Sequence, residues 1–169
     1  MGTLDGVAVP DAQGFRIPRL LRAADVLYAD GRRYRGRVFL PAAAESHVGA
    51  MRVEEWLEES GAFVPFLPDG EGRPVILNKD QIVVLMVPVS DPYDTPVFEV
   101  PVRHVLVECG SLQIAGQVSL DLPSDQQRVL DLLNRPGLFV EVREAGRRHF
   151  VRKSRITRVG ERPTGGPQA

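Results

Sequence analysis

The chain has a single cysteine, Cys109, among its 169 residues. An intrachain disulfide and a zinc site built on several thiolates are therefore excluded. Long apolar runs are also lacking. The longest, Ile82 to Val89, is the length of a strand and is interrupted by Pro88, so it does not suit a membrane-crossing helix. The first residues, Met1 to Pro10, carry Asp5 and neither a basic cluster nor a long apolar stretch, unlike a secretory signal. Net charge is nearly absent, at −1. No general attraction to nucleic acid or to a membrane surface follows from it. These features together lead to the expectation of a cytoplasmic protein.

What is present is a repeat. Val26 to Leu40 reads VLYADGRRYRGRVFL, and Leu106 to Leu120 reads LVECGSLQIAGQVSL. Without a gap, Gly36 aligns with Gly116, Val38 with Val118 and Leu40 with Leu120. Each segment predicts a strand, a polar turn and a second strand with a glycine in its middle. Arg52 to Phe66 and Arg128 to Val142 match next, through Arg52, Val53, Leu57, Gly61, Phe63 and Val64 with Arg128, Val129, Leu133, Gly137, Phe139 and Val140. Arg73 to Leu85 and Arg147 to Val159 match last, anchored on Lys79 with Lys153 and Ile82 with Ile156. The entries Phe15 to Pro18 and Phe98 to Pro101 also agree. Matches that keep their order, with gaps falling in turns, indicate tandem duplication.

Each unit then reads β–β–helix–β–β, the last segment being one strand or a bent pair. The first helix places Val53, Trp56 and Leu57 on one face and Glu54, Glu55, Glu58 and Glu59 toward solvent. Trp56 is expected in the core. The second helix places Val129, Leu132 and Leu133 together, with a capping box of Ser124 and Gln127 at its start. Gly61 and Gly137 are expected to end the two helices. The turns Asp69 to Gly72 and Ala145-Gly146 follow. The domain reading is an N-terminal arm over 1–14, repeat one over 15–89, a linker over 90–97, repeat two over 98–160, and a disordered tail over 161–169.

Ile76 to Leu85 and Phe150 to Val159 each run a strand into a short polar turn with a lysine, after which an isoleucine opens another strand. This resembles the final strand pair of Sm-like and other SH3-like small barrels. The early hairpins with central Gly36 and Gly116 are similar to the start of that fold, where such a glycine permits a sharp bend. The resemblance implies a mainly β chain with one short helix per repeat, arranged as two tandem SH3/Sm-like small barrels. Its helix lies between strands two and three rather than at the N-terminus, and no residue matches a uridine-binding signature. The resemblance therefore assigns no RNA-site residue here.

The reactive residues carry no catalytic or metal signature. His47, His104 and His149 have no carboxylate or thiol at ligand spacing. Cys109 aligns with Ala29, which favours a small buried side chain. Asp91, Asp94 and Glu99 are interleaved with prolines and read as linker. Arg32-Arg33-Tyr34-Arg35 is similar to the opening of a cyclic-dinucleotide-binding PilZ domain, but the second half of that motif is missing. No nucleophile elbow, phosphate loop or dinucleotide fingerprint occurs. The expectation is a chain without enzymatic activity, cofactor or metal.

Charge distribution is the remaining functional signal. From Arg135 to Arg162 there are nine basic and three acidic residues. Arg143, Arg147, Arg148, Arg152, Lys153, Arg155 and Arg158 form the candidate surface for an anionic partner. Glu54, Glu55, Trp56, Glu58 and Glu59 form a candidate interface helix of opposite charge. The leading expectation is an adaptor or regulatory module that binds another protein, with strand addition and head-to-tail self-association as its means. The alternative is an Sm-like nucleic-acid binder using the basic second repeat. No stacking platform is interleaved with the arginines, which argues against single-stranded RNA.

Overall fold

The computed structural model describes residues 19–44, 49–59, 61–89 and 100–163. The N-terminal arm, the loop holding His47, the linker with Asp91, Asp94 and Glu99, the entries Phe15 to Pro18 and Phe98-Glu99, and tail residues 164–169 lie outside them. The fold is mainly β, with ten strands and two six-residue helices among the described residues. The chain divides into two compact units, Met1–Ile82 and Val83–Ala169.

In the first unit, β1 (Arg19–Tyr28) and β2 (Arg33–Pro41) form a hairpin. Helix α1 (Val53–Glu58) follows, then β3 (Phe63–Pro68), β4 (Val75–Asn78) and a 3-10 turn over Lys79–Gln81. The strands are antiparallel in the order β1-β2-β3-β4. Pro41 and Pro68 end β2 and β3, where a residue without an N–H can no longer serve the ladder. Alternation decides the core: Val64, Phe66 and Leu77 point inward to join Val26, Val38, Val53 and Leu57.

In the second unit, β5 (Ile82–Pro88) precedes the hairpin of β6 (Val102–Cys109) and β7 (Leu112–Ser119). Helix α2 (Val129–Asn134), β8 (Phe139–Glu144), β9 (Arg147–Arg152), a 3-10 turn over Lys153–Arg155 and β10 (Arg158–Arg162) complete it. The antiparallel order is β10-β6-β7-β8-β9-β5. Val105, Val107, Leu120, Val142 and Val151 are fully or almost fully buried.

The same element order thus occurs twice, and the final segment of each copy is a pair of strands split by a 3-10 turn. Contacts recur with it. An added Cβ at Gly36 would strike the carbonyl oxygen of Leu67, and one at Gly116 the carbonyl oxygen of Arg143. Both glycines are needed because a neighbouring backbone passes where a side chain would stand. Among the described residues, strand pairing closes neither ladder on itself, so the barrel closure expected from the sequence is not made by strand pairing.

The capping box expected at Ser124 and Gln127 is absent. Ser124–Gln126 is a 3-10 turn, and the Gln127 amide donates to the Leu122 carbonyl at 3.2 Å. Helix α2 begins only at Val129, where Arg128 reaches forward to Asp131 at 2.8 Å. Both helices stop before their expected glycines, at Glu58 and Asn134.

Candidate functional site

Each helix is held at its C-terminal end by a lysine from the 3-10 turn. Lys79 Nζ donates to the Glu59 carbonyl at 2.6 Å and to the Trp56 carbonyl at 3.2 Å. Lys153 Nζ donates to the Arg135 carbonyl at 2.6 Å. A helix leaves its last carbonyls without internal donors and concentrates negative partial charge there, so an ammonium suits both needs. The backbone repeats the match: Lys79 N–H donates to Ala62 O, and Lys153 N–H to Leu138 O. Lys153, which the charge count offers to an anionic partner, thus also clamps the end of α2, as the buried Lys79 clamps that of α1. Lys79 is 3% exposed and lies over the Trp56 ring.

Trp56 is buried, with Val53 and Leu57, as expected of a core residue. It is not presented as part of an interface helix. Glu58 and Glu59 are exposed, Glu54 and Glu55 half-buried. Glu55 accepts from the Arg52 N–H at 2.9 Å.

The seven basic candidates of repeat two do not share one open face. Strand alternation puts Arg148, Phe150 and Arg152 on one side of β9 and Arg147, His149 and Val151 on the other. Both sides are covered from Arg148 to Arg152. Arg148, 3% exposed, makes a two-pronged pair with Glu141 at 2.9 and 3.0 Å and stacks over Phe150. Arg143 also pairs with Glu141. Arg152 is buried over the Phe139 ring. Arg158 is exposed, 3.7 Å from Glu108. Arg147 and Arg155 are exposed. Burial pushes the Glu141 carboxyl up, but Arg148 and then Arg143 outweigh it and hold the group below the usual glutamate value. Glu141 thus balances part of the charge of Arg148 and Arg143 within the fold.

Reactive groups are quiet. Cys109 is buried, and burial pushes its thiol up, away from the nucleophilic thiolate. His149 meets Glu144 at 3.0 Å and His104 meets Gln117 at 3.3 Å. Among the described residues no group of three His, Cys, Asp or Glu side chains is placed to hold a metal ion.

The unusual surface is elsewhere, on β3 and β4. Their register is Phe63↔Asn78, Val64↔Leu77, Pro65↔Ile76 and Phe66↔Val75. Val64, Phe66 and Leu77 are buried on one face. Phe63 and Ile76 lie diagonally on the other, 67% and 74% exposed. β4 pairs only with β3, so among the described strands its second edge is open. Pro65 has no N–H to exchange with Ile76, so this is a non-hydrogen-bonded rung and the Ile76 N–H and C=O turn to the open edge. Asn78 agrees: its N–H leaves β3 and donates to the Tyr28 hydroxyl at 2.9 Å.

No family model, curated protein or solved structure matches the chain. The site therefore rests on its own geometry. The sequence reading did not single out Phe63 and Ile76. One signal was there: Phe63-Val64-Pro65-Phe66 is apolar at every position, whereas copy two carries Glu141 in the place of Pro65. Among the described residues, no helix is long and apolar enough to cross a membrane.

Proposed function

We propose that the chain is a non-enzymatic adaptor of two tandem SH3/Sm-like small-barrel repeats that binds another protein. The observation that carries this reading is the pair Phe63 on β3 and Ile76 on β4, both mostly exposed beside the edge of β4 that no described strand covers. Large apolar side chains beside an unpaired edge favour association with another chain, and natural proteins usually protect such edges with charge or proline. The barrel reading is supported by the order β10-β6-β7-β8-β9, in which the fifth strand of the copy lies beside its first. It is further supported by the 3-10 turn that precedes each fifth strand.

The nucleic-acid alternative has less behind it, because Arg148 and Arg152 are buried and Arg143 is paired with Glu141. The test is Phe63→p-benzoylphenylalanine in the full chain, irradiated in the cells that make it. A discrete adduct with another polypeptide is expected, and none when the cross-linker replaces Arg155 instead. Adducts with RNA alone, or no adduct, would overturn the reading.

A further inference from the structure

The chain contains its own template for what an open fourth strand binds. β9 of the second unit is the counterpart of β4. β8 and β9 pair Val140↔Val151 and Glu141↔Phe150, as β3 and β4 pair Val64↔Leu77 and Pro65↔Ile76. Phe150 thus occupies the place of Ile76, and Arg152 the place of Asn78. The fates of the two strands differ. The second edge of β9 is occupied by β5, antiparallel, with Leu85↔Phe150 and Val87↔Arg148. Phe150 is 1% exposed and Ile76 is 74% exposed. Phe139 is covered by the Arg152 guanidinium, whereas its counterpart Phe63 faces only the shorter Asn78 and stays open.

We infer that the open edge of β4 receives an extended, apolar strand of a partner protein, antiparallel, in the register that β5 takes on β9. The inference rests on the protein-binding reading above and specifies its partner. The incoming strand places a large apolar residue opposite Ile76, as Leu85 stands opposite Phe150. That residue exchanges backbone hydrogen bonds with the outward N–H and C=O of Ile76. A second apolar residue two positions along lies on the same face. Charge at either position is excluded, because it would be buried against Phe63 and Ile76 without a partner.

A second copy of the chain is the poorer occupant. Its β10, the terminal strand of its ladder, reads Arg-Val-Gly-Glu-Arg and would lay charge on the apolar face. Its β4 would add only another Phe63 and Ile76. These two side chains offer roughly 200–300 Å2 of apolar surface per chain, against about 800 Å2 per partner in a standard stable interface. A short strand that gains affinity from main-chain hydrogen bonds fits that small area better.

The test uses a labelled peptide carrying Ile82 to Pro88, flanked by two lysines at each end, titrated into the full chain and read by fluorescence anisotropy. Saturable binding is expected. It should weaken at least tenfold in the Phe63→Thr/Ile76→Thr double variant, whose thermal midpoint should match the parent's because both positions are exposed. N-methylation of the peptide at the Leu85 position should weaken binding to a similar extent. No saturable binding, equal binding to the double variant, or indifference to N-methylation would each overturn the inference. If the cross-linked protein adduct at position 63 forms while the peptide fails, strand addition is wrong and protein binding stands. If the parent sediments as a dimer and the double variant as a monomer, the face belongs to a second copy, and the assigned partner is wrong.

Discussion

Lys79 and Lys153 occupy the same place in the two copies, and the structure makes unequal demands on them. Lys79 is buried and donates to two carbonyls of α1, while Lys153 is half-buried and donates to one carbonyl after α2. Lys→Met keeps the aliphatic stem and deletes the ammonium. At position 79 it strips two donors from the end of a helix whose Trp56 carbonyl has a buried setting. A hydrogen bond from a charged group contributes about 1.5–3 kcal/mol. The Glu59 carbonyl can recover water, and removing a buried charge returns some desolvation energy. The net cost should be about 2–3 kcal/mol, or roughly 5–10 °C in midpoint for a chain of this size. At position 153 the lost carbonyl bond is solvated in the variant, and about 0.5–1 kcal/mol is expected. Denaturant unfolding followed by far-ultraviolet circular dichroism, which reports on the strands of both units, measures both variants. A Lys153→Met cost equal to that of Lys79→Met, or a neutral Lys79→Met, would refute the assignment of burial as the deciding factor.

Glu141→Gln should cost about 1.5–3 kcal/mol at neutral pH, because the buried Arg148 keeps an amide acceptor but loses a charged one. Glu141 has a lowered value in the folded state, so its contribution is present above the ordinary glutamate pKa of about 4.3 and fades as pH falls below it. The stability gap between parent and variant should therefore narrow on going from pH 7 to pH 3, and urea midpoints that keep a constant gap would disprove the pairing. Trp56→Ala should lose about 3–5 kcal/mol, read by circular dichroism melts. A variant as stable as the parent would remove Trp56 from the core.

Much of the fold was legible because it depends on local patterns. The period-two alternation of β8, the mid-strand Gly36 and Gly116, and the apolar face of Val53, Trp56 and Leu57 all act within a few residues or one turn. The Ser124 and Gln127 cap was misread because a capping box requires continuous helix after it. Here the chain turns through a 3-10 segment before Val129. The candidate surface was less legible. A run of arginines has the same composition whether it faces water or a half-buried glutamate of the same sheet.

The sequence by itself determined the repeated element order, the places of the turns, and the apolar face of the first helix. These follow from backbone sterics and from the cost of leaving apolar side chains in water. Only the tertiary structure decided which repeat has its fourth strand covered. Alternation defines two faces of a strand but does not say whether both are occupied. β5, some sixty residues away in the chain, pairs with β9 and leaves Arg148 and Phe150 buried. No described strand does the same for β4, so Phe63 and Ile76, which align with buried or shielded positions of the other copy, remain at the surface. Pairing between distant segments is set by which edges meet in space, and that information is not contained in the periodicity of either strand.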